Sequence, residues 1–130
     1  MPKFGKKSLD QLRTCDPRLI EIMMELIKVM DVSVTEGHRN QVDQDAAFAK
    51  GNSKLKYPKG NHNAIPSKAV DVCPFPIDYN DRERFVLMAG IVLGIAAMKG
   101  IKLRWGGNWK GDFDLKGNTF NDLPHFEIKE

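Results

Sequence analysis

The order of apolar patterns along this chain predicts an α+β fold, a small, largely antiparallel sheet with helices packed on it. Three observations carry the prediction. Segments with three- and four-residue apolar spacing are interleaved with short β-branched runs. The last two strand-like runs, "KLRW" and "HFEI", come consecutively with no helical pattern between them. A chain of 130 residues, 42% hydrophobic and 28% charged, has the size and composition of one ordinary core.

Ser8 is expected to cap a short helix over Leu9 to Thr14. Asp16-Pro17 is a cap followed by proline at the first helical position, opening a helix that runs to about Met30. Within it Ile20, Met24 and Ile27, with Met23, Leu26 and Met30, make one wide apolar face. "VSVT", Val32 to Thr35, alternates and is β-branched, so it reads as a strand ending at Gly37. Gln41 to Lys50 then reads as a helix closed by Gly51. "AVDVC", Ala69 to Cys73, is a strand stopped by Pro74 and Pro76, and Asp81 begins a long apolar helix to about Met98. "KLRW" and "HFEI" complete the sheet, joined by a Gly-, Asn- and Asp-rich segment from Gly106 to Asp122.

Several classes are disfavoured at once. Cys15 and Cys73 are too few for a disulfide framework, and the lysines near the N-terminus precede no apolar stretch of the secretory kind. Synthesis in the cytoplasm without a signal peptide is expected. The longest uncharged run, Phe85 to Met98, would span roughly 21 Å as a helix against a hydrocarbon core of about 30 Å, so a core helix is expected and no membrane insertion. Six methionines suggest core filling. A net charge of +3, with Lys50, Lys54, Lys56 and Lys59 ahead of His62, suits either an anionic partner or a solvated basic loop.

The segment from Gly51 to Lys68, "GNSKLKYPKGNHNAIPSK", is a long loop, and long loops in small domains are usually functional. The three histidines, His38, His62 and His125, lie at loops or strand ends rather than on a helix stripe. Asp71 sits between Val70 and Val72, facing opposite to them, and an acid in an apolar strand needs a partner. A metal would be such a partner, and two imidazoles with one carboxylate are the donor set of an open, hydrolytic zinc site. Asp122, three residues before His125, is placed to act as general base if the chain turns there. Pro124 pushes Leu123 into extended backbone, so Asp122 and His125 are expected to meet through a loop feeding the last strand. Spacing alone leaves ligation and ordinary packing equally open.

"GNHNAIPSKAVDVCP", "LRWGGNW" and "NDLPHFEI" together resemble the zinc peptidases of the D-alanyl-D-alanine carboxypeptidase and L-alanyl-D-glutamate endopeptidase family, in its tailed-phage endolysin branch. "VTEGHRNQVDQDAAFAKG" and "KFGKKSLDQL" extend the likeness over nearly the whole chain, with the motifs in the family's order. The resemblance implies a Hedgehog/D,D-peptidase-like fold with a zinc site at the sheet edge. It implies His62, Asp71 and His125 as zinc ligands, Asp122 as catalytic base and Arg39 as the substrate-side cation. The chain departs from the family at Gly60, where serine is usual, and in the loop from His62 to Asp71, which has Pro66-Ser67 in place of a glycine.

Gln44, in the segment resembling the family's G-x-R-x-x-x-x-Q, joins Arg39 as an expected substrate contact. Trp105 and Trp109 are expected either as a wall of the cleft or as core aromatics beside a tight turn. Cys73, two residues after Asp71 on the same strand face, is weighed as a fourth ligand and set against the open site. Asp112, Asp114 and Asn118 are a weaker candidate for a calcium ion, and His38 receives no role.

The expected function is zinc-dependent cleavage of peptidoglycan stem peptides at the L-alanyl-D-glutamate bond, causing host cell lysis after release through a holin-made lesion. The chain is expected to be monomeric, a single catalytic domain over residues 1–130 without a separate wall-binding domain. The alternatives are a D,D-carboxypeptidase of the same family, or a catalytically silent zinc-stabilised module binding cell wall or nucleic acid. No recognised nucleic-acid motif accompanies the lysines, so no nucleic acid partner is expected.

Overall fold

Four antiparallel strands form the backbone of the molecule in the order β1-β2-β4-β3, where β1 is Val32–Glu36, β2 Ala69–Pro74, β3 Leu103–Trp105 and β4 His125–Ile128. The structure, a computed structural model, describes residues 2–130. Helices α1 (Lys6–Leu12), α2 (Pro17–Val29), α3 (Gln41–Ala49) and α4 (Arg82–Met98) fall close to their expected places, and short 3₁₀ turns occupy Asn61–Asn63 and Leu115–Gly117.

Asp16 caps α2 by accepting from the Arg18 amide at 2.8 Å, and Asn40 and Asp81 cap α3 and α4 in the same way. Ser8 does not cap a helix as expected. It lies inside α1, where its hydroxyl is used instead to accept from the Val34 amide at 3.0 Å and tie α1 to β1.

Alternation along the strands divides the sheet into two unlike faces. Val32, Val34, Val70, Val72, Trp105, Phe126 and Ile128 point into one core with Leu19, Ile22, Met23 and Leu26 of α2 and Phe85, Met88 and Val92 of α4. Burial of these side chains contributes roughly 1.5–3 kcal/mol each. The apolar run from Phe85 is therefore a core helix, and among the described residues no helix is long and apolar enough to cross a membrane.

The opposite face is polar and carries the candidate residues. Asp71 pairs with His125 across β2 and β4, and Arg104 pairs with Glu127 across β3 and β4. Directly opposed residues in an antiparallel pair project to the same side, so these four side chains share one surface. β2 and β4 are the two central strands, and the group lies over them, near the start of β4.

Candidate active site

His62, Asp71 and His125 each offer one ligand atom, and those atoms lie within 4.8 Å of one another. Asp71 Oδ1 is 3.2 Å from His62 Nε2 and 3.3 Å from His125 Nδ1. The far nitrogen of each imidazole is engaged: His62 Nδ1 with the Gly37 carbonyl at 2.7 Å, and His125 Nε2 with Glu127 Oε1 at 2.7 Å. Such outer hydrogen bonds fix the ring tautomer and leave the inner nitrogen to coordinate, so the donor set fits a divalent metal.

Local sequence explains why the three converge. The 3₁₀ turn over Asn61–Asn63 buries His62 and holds it through the bond from the Arg39 amide to the His62 carbonyl at 2.7 Å. Ser67, in place of the family's glycine, is fully buried and anchors the returning loop: its amide donates to the Thr14 carbonyl and its carbonyl accepts from the Asp16 amide, both at 2.8 Å. At Gly60 the family's serine would put a Cβ 2.8 Å from Asn63 Oδ1, which accepts from the Gly60 amide, so the Asn63 side chain would have to shift.

Asp122 meets His125 through a turn closed by the His125 amide on the Asp122 carbonyl at 3.1 Å, bringing Asp122 Oδ2 to 3.9 Å from His125 Nδ1. Gly106 makes this approach possible. Its carbonyl accepts from the Asp122 amide at 3.0 Å, and a Cβ on residue 106 would stand 2.1 Å from the Asp122 carbonyl oxygen. In "WGGNW" the first glycine thus serves the close passage of the segment that carries Asp122, and the second makes room for the Trp105 ring, which a Cβ there would meet at 2.4 Å.

The charges sort themselves by environment. Burial raises the pKa of Asp71, but the two histidines outweigh it and hold the carboxyl well below the usual range. Burial and the neighbouring Asp71 charge push Asp122 up to about 6, against the pull of His125, His62 and Arg39. Burial opposes charge on His125, yet its bonds to Asp71 and Glu127 raise it to about 10 in the metal-free protein. The two carboxyls are thereby set apart: Asp71 is held ionised and Asp122 is raised toward neutrality.

Arg39 lies beside the group but is heavily engaged. Its Nε donates to Glu36 at 2.5 Å, its Nη1 to Gln44 Oε1 at 3.0 Å, and Nη2 is 4.0 Å from Asp71 Oδ2. Gln44, expected as a substrate contact, is only 1% exposed and fully occupied. Its amide donates to Ser53 Oγ and the Leu55 carbonyl, and its oxygen accepts from Arg39 and Asn63. It is a hub that ties the long loop to Arg39.

Trp109 stands in the cleft, its ring 5.4 Å from that of His125 and its Nε1 donating to the Phe120 carbonyl at 2.6 Å. Trp105, expected beside it, takes the core face of β3, stacks on Phe126 at 6.3 Å and donates to the Leu123 carbonyl. It supports the turn and forms no wall of the cleft.

Cys73 is buried and does not join the metal-binding group; two residues along a strand carry it about 6.6 Å from Asp71. Asp112, Asp114 and Asn118 are used by their own loop, accepting from the Asp114, Lys116 and Trp109 amides respectively. His38 Nδ1 lies 3.1 Å from the Ala64 carbonyl.

Two adjoining cavities meet at the site. One is about 860 Å³ and includes Asp71 in its wall, the other is about 460 Å³ and includes His62 and His125; Arg39, Asn52, Phe120 and Asp122 line both. Sequence reading did not single out Glu127 and Arg104. Alternation from His125 could have found the first, since residue 127 must share its face, but only strand pairing places the second opposite it.

Residues 1–129 match the family described as phage L-alanyl-D-glutamate peptidase. The chain is 33% identical over 136 aligned residues to the L-alanyl-D-glutamate peptidase of Escherichia phage T5, with 97% of each chain covered. Its fold superposes on the crystal structure of the Serratia marcescens L-Ala D-Glu endopeptidase ChiX with a TM-score of 0.77 and 26% identity, over 98% of this chain and 90% of that one. Whole-length similarity, together with a His-Asp-His group set beside an acid in an open cleft, leads to one assignment: the chain belongs to the phage L-alanyl-D-glutamate peptidase family.

Proposed function

We propose that this protein is a zinc-dependent endopeptidase that cuts the L-alanyl-D-glutamate bond of peptidoglycan stem peptides, bringing about host cell lysis. The observation that carries the reading is the meeting of His62, Asp71 and His125 with Asp122 where two cavities adjoin. Similarity over the whole chain to L-alanyl-D-glutamate peptidases favours the endopeptidase over the D,D-carboxypeptidase. A silent binding module would have no use for a carboxyl held near neutrality beside the donor set.

His62 Nε2, Asp71 and His125 Nδ1 would hold the ion, three protein ligands being the usual number for a catalytic zinc. When bound, zinc supplies Lewis acidity, polarising a carbonyl and lowering the pKa of water toward about 7. Asp122 takes the proton of the attacking water on a carboxylate oxygen and returns it to the leaving amine. Arg39, fixed by Glu36 and Gln44, is a preorganised positive charge for the developing oxyanion rather than a mobile clamp for a carboxylate. Gly37 and Glu127 keep the imidazoles in register.

The chain acts as a monomeric catalytic domain, and it reaches its substrate through a holin-made lesion. The reading is tested by the release of soluble peptide from purified sacculi. Release should stop with a zinc chelator and return with about one equivalent of zinc per chain; release that persists in a metal-free preparation would overturn it.

A further inference from the structure

We propose that Arg104, assisted by Lys54, selects substrates bearing a free carboxylate next to the cut bond, an inference that rests on the endopeptidase reading. Arg104 stands on the polar face of β3 directly across from Glu127 and lines the smaller of the two cavities, together with His62, His125 and Asp122. Its guanidinium makes no hydrogen bond among the described residues. Nε is buried without a partner, and Nη1 is ion-paired with Glu127 Oε2 at 3.6 Å, too long for a hydrogen bond. Glu127 is already committed through its other oxygen to His125 at 2.7 Å.

The contrast with Arg39 decides which guanidinium is available. Arg39 spends its donors on Glu36 and Gln44 and its side chain is 12% exposed, whereas that of Arg104 is 36% exposed and open to a ligand in the cavity. Lys54 lines the same cavity with its Nζ 4.7 Å above the Phe120 ring and forms no ion pair among the described residues. The larger cavity sets four acids, Glu36, Asp43, Asp71 and Asp122, against Arg39 and Lys50, whereas the smaller sets Asp122 and Glu127 against Arg39, Lys54 and Arg104. A carboxylate is therefore better received on the Arg104 side.

The chemistry of the bond supplies that carboxylate. A D-glutamate acylated on nitrogen by alanine and extended through its side-chain carboxyl keeps its α-carboxylate free, one carbon from the leaving nitrogen. A planar guanidinium recognises such a group through two parallel hydrogen bonds. The glutamyl half of the substrate then lies toward Arg104 and Lys54, and the alanyl half toward the larger cavity.

The test uses zinc-loaded protein and two disaccharide tripeptides that differ only in carrying an α-carboxylate or an α-carboxamide on the glutamyl residue. The carboxylate form should be cut with kcat/KM about tenfold to a hundredfold higher, the range of a charge-assisted hydrogen bond pair. Arg104→Gln should abolish most of that preference, raising KM for the carboxylate substrate far more than for the carboxamide, with zinc content kept. Arg104→Lys, with charge but no fork, should retain part of the preference. Equal cleavage of both substrates by the parent would overturn the proposal. So would an equal loss on both in Arg104→Gln, which would make Arg104 a positioning residue acting through Glu127. If the zinc-loaded parent cut neither, the endopeptidase reading itself would fall and this proposal with it.

Discussion

Replacing Asp122 by asparagine should change activity and stability in opposite directions. The Asp122 side chain is 28% exposed and its carboxylate makes no hydrogen bond among the described residues, so a carboxamide of the same shape breaks none. Burial and the Asp71 charge raise its pKa from 3.8 to about 6. For a carboxyl whose folded pKa is raised, the folded state keeps a proton that the unfolded chain gives up first. Stability is unaffected below pH 4, falls as pH rises toward 6, and is lower above pH 6 by about 3 kcal/mol at most. The neutral carboxamide of the variant carries no such penalty. Metal-free Asp122→Asn should therefore resist urea better than its parent at pH 7.5 in chelator, by up to about 3 kcal/mol, with the gap closing at pH 4. The zinc-loaded variant should lose about 10²- to 10⁴-fold in turnover, the range for removing a general base. Retained turnover would remove Asp122 from the base role, and a variant less stable than its parent at pH 7.5 would show that its charge supports the fold.

Other perturbations follow from the same geometry. In the metal-free protein His125 is protonated up to about pH 10, so zinc must displace that proton. Between pH 7 and 9 zinc affinity should rise about tenfold per pH unit, with about one proton released in calorimetric titrations in buffers of different ionisation enthalpy. Gly106→Ala puts a Cβ 2.1 Å from the Asp122 carbonyl oxygen, and the shift should cost about 1–3 kcal/mol in urea unfolding and most of the activity, with zinc still bound. Gln44→Ala leaves Arg39 and Asn63 donors unmatched and frees the loop at Ser53 and Leu55. It should cost about 1–3 kcal/mol of stability. A rise in KM with stability unchanged would instead make Gln44 a substrate contact.

Much of this arrangement was legible in the sequence because local chemistry agreed with the fold. Asp16-Pro17 and Asp81 open their helices where capping rules place them, and Asp71 stands out among valines as an acid that needs partners. Pro124 correctly implied that Asp122 and His125 meet through a turn into a strand. What was hidden depends on contacts distant in sequence. Ser8 has the right chemistry for a cap, but its hydroxyl is claimed by Val34, and no local rule anticipates that. Trp105 and Trp109 flank the same glycines, yet the strand's alternation sends the first into the core while the loop turns the second toward His125. Gln44 carries the polarity of a binding residue and spends all of it on the loop and on Arg39. Arg104 became visible only once strand pairing set it against Glu127 and its guanidinium was found without a hydrogen bond.

The most direct test of the account is mass spectrometry of the fragments that the zinc-loaded protein releases from purified peptidoglycan, with chelator and Asp122→Asn as controls. New amino termini at glutamate, absent in both controls, are the predicted result; loss of terminal D-alanine alone, or no release at all from fully loaded protein, would contradict it.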